Sequence, residues 1–321
     1  MKNTTKNQMK LGNTDITVSC LGLGAMTWGD ISITPRLNPT RFAYGPAEGK
    51  NELKKAVDAS IENGVYFIDT AAMYGKGASE IMVGNLIHDK NVIVASKFPS
   101  SFLPKSSDFT KDLKNSLRHL KRNSIDLYQI HYPSFLFSVP KVLNHMINAY
   151  HAGKIKAIGV SNFSEKQMRE AHKILAERGI PLASNQVEYS LLHRDPERNG
   201  ILQACHELNV ILIAYMPLRM GALTGKYTGE IKPKGLRKYI SPFCKRDLAK
   251  LNEIIKILKD IGSHYSKSPA QIALRWLIQK GNVLPIPGAK NSEQAIHNAG
   301  ALTFSLTENE MEVLNLASSE F

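Results

Sequence analysis

The stretch VYFIDTAAMY, residues 65–74, decides how the rest of the chain is read. It opens as a short apolar run entered from Asn63-Gly64, a turn signal, and so reads as a buried strand. The run ends in a carboxylate, Asp69, and a phenol followed by glycine, Tyr74-Gly75, lies on the loop beyond it. An acid at the end of a buried strand with a phenol close behind it is a candidate acid–base pair. Whether it is more depends on what other strands bring to the same place.

Outward from this stretch the pattern repeats. TVSCLG (17–22) has the composition of a first strand, closed by Gly22-Leu23-Gly24, and residues 34–50 read as a long loop. Helical spacing over 51–63 precedes the strand at 65–69. Strands at 92–96, 125–130, 157–160, 182–187, 210–214 and 283–286 then alternate with helices at 79–88, 108–120, 140–151, 164–178, 199–208, 245–265, 269–279 and 292–299. Ser164 suits an N-cap, although SEKQ makes a poor capping box. A last helix is expected over 307–317, and residues 1–14 as a loose N-terminal segment. Short strands apolar on both faces, in alternation with helices, imply a parallel sheet with right-handed crossovers. Eight such units point to an α/β fold of the (β/α)8 TIM-barrel kind in a single domain. No G-x-G-x-x-G follows the first strand, which argues against a doubly wound dinucleotide fold.

Composition narrows the function. With 321 residues, 43% hydrophobic and 21% charged, the chain can build a large core. No apolar run reaches the roughly 20 residues of a membrane helix. The lysine-rich start MKNTTKNQMK lacks the apolar stretch of a secretory signal. Cys20, Cys205 and Cys244 fit neither a disulfide framework nor a metal motif, as expected of thiols in a reducing compartment. That suggests the cytoplasm, or an organellar stroma had a leader been removed. The net charge of +13 comes from scattered lysines without interleaved aromatics, a solvated basic surface rather than a nucleic-acid or membrane site. Oligomeric state is not written in the sequence, with a monomer slightly favoured.

In a barrel of this kind chemistry gathers at the C-terminal strand ends. Those ends carry Asp69 with Tyr74, Lys97, His131, Ser161-Asn162, Asn185-Gln186 and Tyr215. Each alone would be a cap, a surface charge or a satisfied polar group. Four titratable groups on three consecutive strands, at one end of the sheet, form a set. A phenol is a poor acid–base group at neutrality, and a neighbouring ammonium is expected to lower its pKa. A buried lysine needs a counter-ion, and Asp69 is at hand. Histidine can donate to, or accept from, a substrate oxygen. The set describes a site that protonates a carbonyl oxygen as hydride reaches the carbon.

The chain resembles the aldo-keto reductase superfamily. The segments that carry the resemblance are LGLGAMTWG (21–29), GVYFIDTAAMYGKGASE (64–80), VIVASKF (92–98), SIDLYQIH (124–131), GKIKAIGVSNFS (153–164), NQVEYSLL (185–192), LIAYMPLRMGALTGKY (212–227) and PIPGAKNSEQAIHNAGAL (285–302). The later segments look most similar to the plant and cyanobacterial-type branch. The resemblance implies NADP(H) as cofactor and a small-molecule carbonyl as substrate. It implies Tyr74 as general acid, Lys97 tuning it, Asp69 pairing with Lys97, and His131 orienting the carbonyl. It also implies Ser161, Asn162 and Gln186 on the nicotinamide carboxamide and Tyr215 stacked on the ring. Where the family has serine this chain has Met216. Cover for the pyrophosphate then falls to the 216–221 segment, which includes Pro217, with the amides of Leu218 to Gly221 and the charge of Arg219 as candidates. Lys290, helped by Asn291 or Ser292, matches the 2′-phosphate position, and Gln294 and Asn298 the adenine contacts. Trp28 is expected to wall the substrate pocket, and the 31–49 loop, with Arg36, Arg41, Phe42 and Tyr44, its rim.

Three function classes follow. The leading one is an NADPH-dependent carbonyl reductase that needs no metal. The second is an NADP(H)-binding, redox-sensing regulatory subunit on the same fold, with little turnover. The third, a Schiff-base aldolase using Lys97, is disfavoured by a carboxylate beside the lysine.

Overall fold

The computed structural model describes residues 7–29, 48–100, 108–133, 139–227, 231, 233, 243 and 247–321. Arg36, Arg41, Phe42 and Tyr44, and Cys244, lie outside the described residues. A hairpin, β1 (Gln8–Lys10) with β2 (Thr17–Ser19), precedes one parallel eight-stranded sheet. Its strands are β3 (Gly22–Gly24), β4 (Phe67–Asp69), β5 (Ile93–Phe98), β6 (Leu127–Ile130), β7 (Ile158–Ser161), β8 (Leu182–Glu188), β9 (Ile211–Tyr215) and β10 (Val283–Pro285), side by side in chain order. The chain just after β10 returns to β3, where Gly24 bridges Gly288 and donates its N–H to the Pro287 carbonyl at 3.0 Å. The sheet thus closes into the expected (β/α)8 barrel. A Cβ on Gly24 would sit 2.9 Å from the Ile286 carbonyl oxygen, so this seam requires a glycine.

Around the barrel lie α1 (Lys50–Glu62), α2 (Ala78–Leu86), α3 (Phe109–Leu120), α4 (Val139–His151), α5 (Glu165–Ala176), α6 (Asp195–Arg198), α7 (Ile201–Glu207), α8 (Leu248–Tyr265), α9 (Pro269–Gln279), α10 (Ser292–Ala299) and α11 (Glu308–Ala317). Their buried faces and the outward strand residues form one apolar layer. A second, smaller cluster fills the barrel interior with Phe67, Ala95, Leu127, Ala183, Ile211, Ile213 and Leu284.

Strand periodicity places the site. Side chains two apart on a strand share a face. Phe67 faces inward, so Asp69 does as well. Ala95 carries Lys97 with it, Leu127 carries Gln129, and Ile213 carries Tyr215. Each of these four strands is therefore apolar inside at its base and polar inside at its C-terminal end.

Three expectations need correction. The first barrel strand is Gly22–Gly24, not 17–22. Thr17–Ser19 belongs to the hairpin, whose Leu11 and Val18 join the interior cluster at the base of the barrel. Part of the N-terminal stretch read as loose is ordered in this way. The helix expected over 199–208 is α7, which starts only at Ile201, and a separate four-residue helix, α6, precedes it across Gly200 at φ 81°. Ser164 does form a full capping box: its hydroxyl takes the Gln167 N–H while the Gln167 side chain takes the Ser164 N–H at 3.0 Å. A glutamine serves this purpose as a glutamate would.

Candidate active site

The Lys97 ammonium is fully buried and lies 2.5 Å from Asp69 Oδ1, which is itself 2% exposed. It also donates to the Thr70 carbonyl at 2.9 Å and to the Tyr74 hydroxyl at 3.4 Å. The other Asp69 oxygen takes N–H groups from Gln186 at 2.8 Å and Gln129 at 3.4 Å. A buried ion pair is held only when its remaining valences are filled, and two glutamines and a carbonyl fill them here. Tyr74 begins a short turn (Tyr74–Gly77) after β4, and its ring meets the His131 imidazole edge-on, centroids 5.7 Å apart. All four tetrad candidates therefore meet.

Burial pulls Lys97 below its ordinary pKa, with Asp69 opposing. Burial, the Asp69 charge and Tyr132 push Tyr74 well above the usual phenol range. This reverses the expected lowering: the ammonium is engaged by a carboxylate and compensates little for the phenol's lost hydration. Burial and the Lys97 charge bring His131 down to about 3. Near neutrality the phenol is thus protonated and the imidazole neutral. His131 Nδ1 is buried without a partner among the described residues.

A cleft of about 750 Å³ opens above Tyr74 and His131, within the range of ligand pockets. Asp69, Ser161, Asn162, Gln186, Tyr215, Met216, Pro217, Leu218, Gly221, Lys290, Asn291, Gln294 and Asn298 all line it. Lys97 lies beneath. At the near end the expected carboxamide group forms a knot. The Ser161 hydroxyl donates to the Gln186 carbonyl (2.9 Å), the Asn162 amide to the His131 carbonyl (3.0 Å), and the Tyr215 hydroxyl to Asn162 Oδ1 (3.0 Å). Asn162 sits at φ 60°, a conformation asparagine tolerates better than most residues. Burial raises Tyr215 to about 12, so it stays a neutral aromatic surface.

In the segment after β9, the N–H groups of Arg219 and Gly221 donate back to Met216 and Leu218 carbonyls. Arg219 pairs with Glu188. Two of the amides between Leu218 and Gly221, and that charge, expected to face a pyrophosphate, are thus engaged within the protein. At the far end Asn291 caps α10 by accepting the Gln294 N–H (2.9 Å), Gln294 accepts the Lys290 N–H (3.0 Å), and Asn298 donates to the Gly288 carbonyl (3.2 Å). These contacts fix the loop that presents Lys290 at a helix start, where an anion is favoured. Lys226 also lines the cleft. The donor set fits an elongated ligand with an amide-bearing ring at one end and phosphates towards the other.

Trp28 is 1% exposed, donates its indole N–H to the Ala289 carbonyl at 3.0 Å, and does not line the cleft; Met26 and Thr27 do. It is a packing residue that ties the β3 loop to the loop after β10. Gln129, Glu188 and Tyr132, which also belong to the site, escaped sequence reading. Gln129 was within reach, lying two residues before His131 on the same inward face.

The chain belongs to the aldo-keto reductase family, whose model matches residues 21–318. It is 32% identical to the chloroplastic pyridoxal reductase of Arabidopsis thaliana, over 98% of this chain and 86% of that protein. It is 30% identical to the aldo-keto reductase yakc [NADP(+)] of Schizosaccharomyces pombe, over 93% and 87%. Among solved structures, the glycerol dehydrogenase AKR11B4 from Gluconobacter oxydans superposes with a TM-score of 0.80 at 26% identity, covering 98% of this chain and 96% of that one. The thermostable aldo-keto reductase Tm1743, solved with the inhibitor epalrestat, gives 0.76 at 29% identity, over 97% and 99%. Among the described residues no helix is long and apolar enough to cross a membrane, and no His, Cys, Asp and Glu cluster suits a metal ion.

Proposed function

We propose that the protein is an NADPH-dependent reductase of aldehyde or ketone carbonyls, with Tyr74 as general acid. The observation that carries this reading is the Tyr74 hydroxyl, 3.4 Å from the buried Lys97 side-chain nitrogen and with its ring edge-on to His131, in a cleft that Lys290 also lines. The chemistry a bound NADPH supplies is hydride to the carbonyl carbon. Ser161, Asn162, Gln186 and Tyr215 would hold its nicotinamide end, and Lys290, Asn291, Gln294 and Asn298 its phosphorylated adenosine. His131 holds the carbonyl oxygen by a hydrogen bond, and Tyr74 O–H gives that oxygen its proton. Lys97, 3.4 Å from the phenol oxygen, stabilises the phenolate that remains until solvent reprotonates it. With Asp69 holding the ammonium in place, the lysine is a charge donor and not an amine nucleophile. Likeness to a pyridoxal reductase puts pyridoxal among the first substrates to try.

The test is NADPH oxidation followed at 340 nm with aliphatic and aromatic aldehydes, dicarbonyls, sugars and pyridoxal, repeated with NADH. Carbonyl-dependent oxidation, faster with NADPH, is expected. Binding of NADPH with no carbonyl-dependent oxidation across the panel would favour the regulatory-subunit reading instead.

A further inference from the structure

Outside the barrel, behind the turn that carries Tyr74, lies a buried carboxylate that the reaction does not use. Glu80, in the first turn of α2, is 0% exposed. One of its oxygens takes the Ser96 hydroxyl at 2.6 Å, and the other faces His119 Nδ1 at 3.1 Å. Ser96 is the residue before Lys97 on β5, and its side chain points to the opposite face. Glu80 therefore joins the helix entered from the Tyr74 turn to the strand that carries Lys97, and α3 supplies the third partner.

The turn itself needs holding. Gly75, Lys76 and Gly77 stand at φ 56°, 53° and 92°, three consecutive left-handed residues, of which the lysine is there at a cost. On one side a Cβ at Gly75 would meet the Gly29 carbonyl oxygen at 2.5 Å. On the other, a Cβ at Gly77 would meet the His119 ring at 2.7 Å. The turn is thus wedged between the β3 loop and an imidazole. At its end the Ser79 hydroxyl donates to the Ala25 carbonyl at 2.7 Å.

We infer that the Glu80–His119 pair is a positioning device for Tyr74: it presses the 74–77 turn against the barrel and sets the distance from the phenol to Lys97. The inference rests on Tyr74 being the general acid. A displaced acid costs turnover without weakening ligand binding, and misplacement by about 1 Å is worth roughly 100-fold.

The experiment compares kcat, KM and NADPH affinity for His119→Ala, His119→Asn and Ser96→Ala, together with a His119→Ala/Tyr74→Phe double variant. In His119→Ala, kcat should fall about ten- to a hundredfold with KM and NADPH affinity unchanged. His119→Asn, which keeps an N–H near the Nδ1 position, should recover much of it. Ser96→Ala, which breaks the other bond of the same carboxylate, should show a smaller loss with the same signature. In the Tyr74→Phe background the His119→Ala loss should vanish, because the group being positioned is gone. A lowered melting temperature with unchanged kcat in both His119→Ala and Ser96→Ala would overturn the inference, as would a loss that multiplies undiminished with Tyr74→Phe. Wild-type turnover in Tyr74→Phe alone would instead sink the reading of Tyr74 as acid, and this inference with it.

Discussion

Two charge clusters invite comparison, the Lys97 pair at the active site and a half-buried group around Trp276 that lies apart from it. At the barrel mouth Lys97 and Asp69 are held by Gln129, Gln186 and the Thr70 carbonyl. Behind the barrel, Trp276 has two cations over its ring, Lys280 at 4.5 Å from the centroid and Arg194 at 5.7 Å. Glu197 binds Arg194 at 2.5 Å and the Tyr189 hydroxyl at 2.6 Å, and pairs with Lys280 at 3.4 Å. Arg194 also reaches the Asn315 carbonyl and Ser318, while Trp276 and Lys280 both donate to the Asn315 amide oxygen, fastening α11. Burial pulls the cation pKa down in both places. The difference lies in where the contacts end. The Trp276 cluster closes on itself and on α11. The Lys97 cluster ends in a phenol and in an imidazole with an unpartnered nitrogen, both lining a cleft. Perturbed pKa alone does not mark a site; a perturbed group that leads into a cavity does.

The contrast can be broken from either side. Lys97→Met should nearly abolish turnover, and stability should fall by about 3–5 kcal/mol because Asp69 is left buried and unpaired; urea unfolding beside a rate assay reads both. Trp276→Ala should cost a similar 3–5 kcal/mol by opening a cavity, yet leave kcat unchanged when assayed well below the melting temperature. If it abolishes turnover in a folded protein, the two clusters are coupled and the contrast fails. Lys290→Met should raise KM for NADPH about tenfold or more with kcat unchanged and NADH kinetics untouched.

The last effect appears only in acid. His131 ordinarily titrates at 6.5 but only at about 3 when folded, so the unfolded chain binds the extra proton first. Stability should then fall as pH drops from about 6.5 towards 3. His131→Gln should show a shallower decline over that window in urea titrations at each pH; an identical slope would mean that His131 is not held neutral.

Much of this was legible in the chain. The barrel followed from alternation, because strands buried on both faces leave short apolar runs that need no partner to be recognised. The tetrad followed from strand ends. What escaped depended on contacts between distant segments. Gly22–Gly24 reads as a turn and becomes a strand only because Phe67–Asp69 lies beside it. The direction of the Tyr74 shift depended on burial, which no spacing reveals. Trp28 lies in the pocket's own segment but turns its indole to Ala289, a partner 261 residues away. Glu80 sits within the motif that names the family, yet its partners Ser96 and His119 come from two later elements.

The central claim is that Tyr74 delivers the proton. Single-turnover reduction of an aldehyde by pre-bound NADPH, comparing Tyr74→Phe with wild type, tests it most directly. The account predicts a loss of about 10²- to 10⁴-fold in the chemical step, with NADPH affinity and melting temperature unchanged. A variant that oxidises NADPH at the wild-type rate would contradict it.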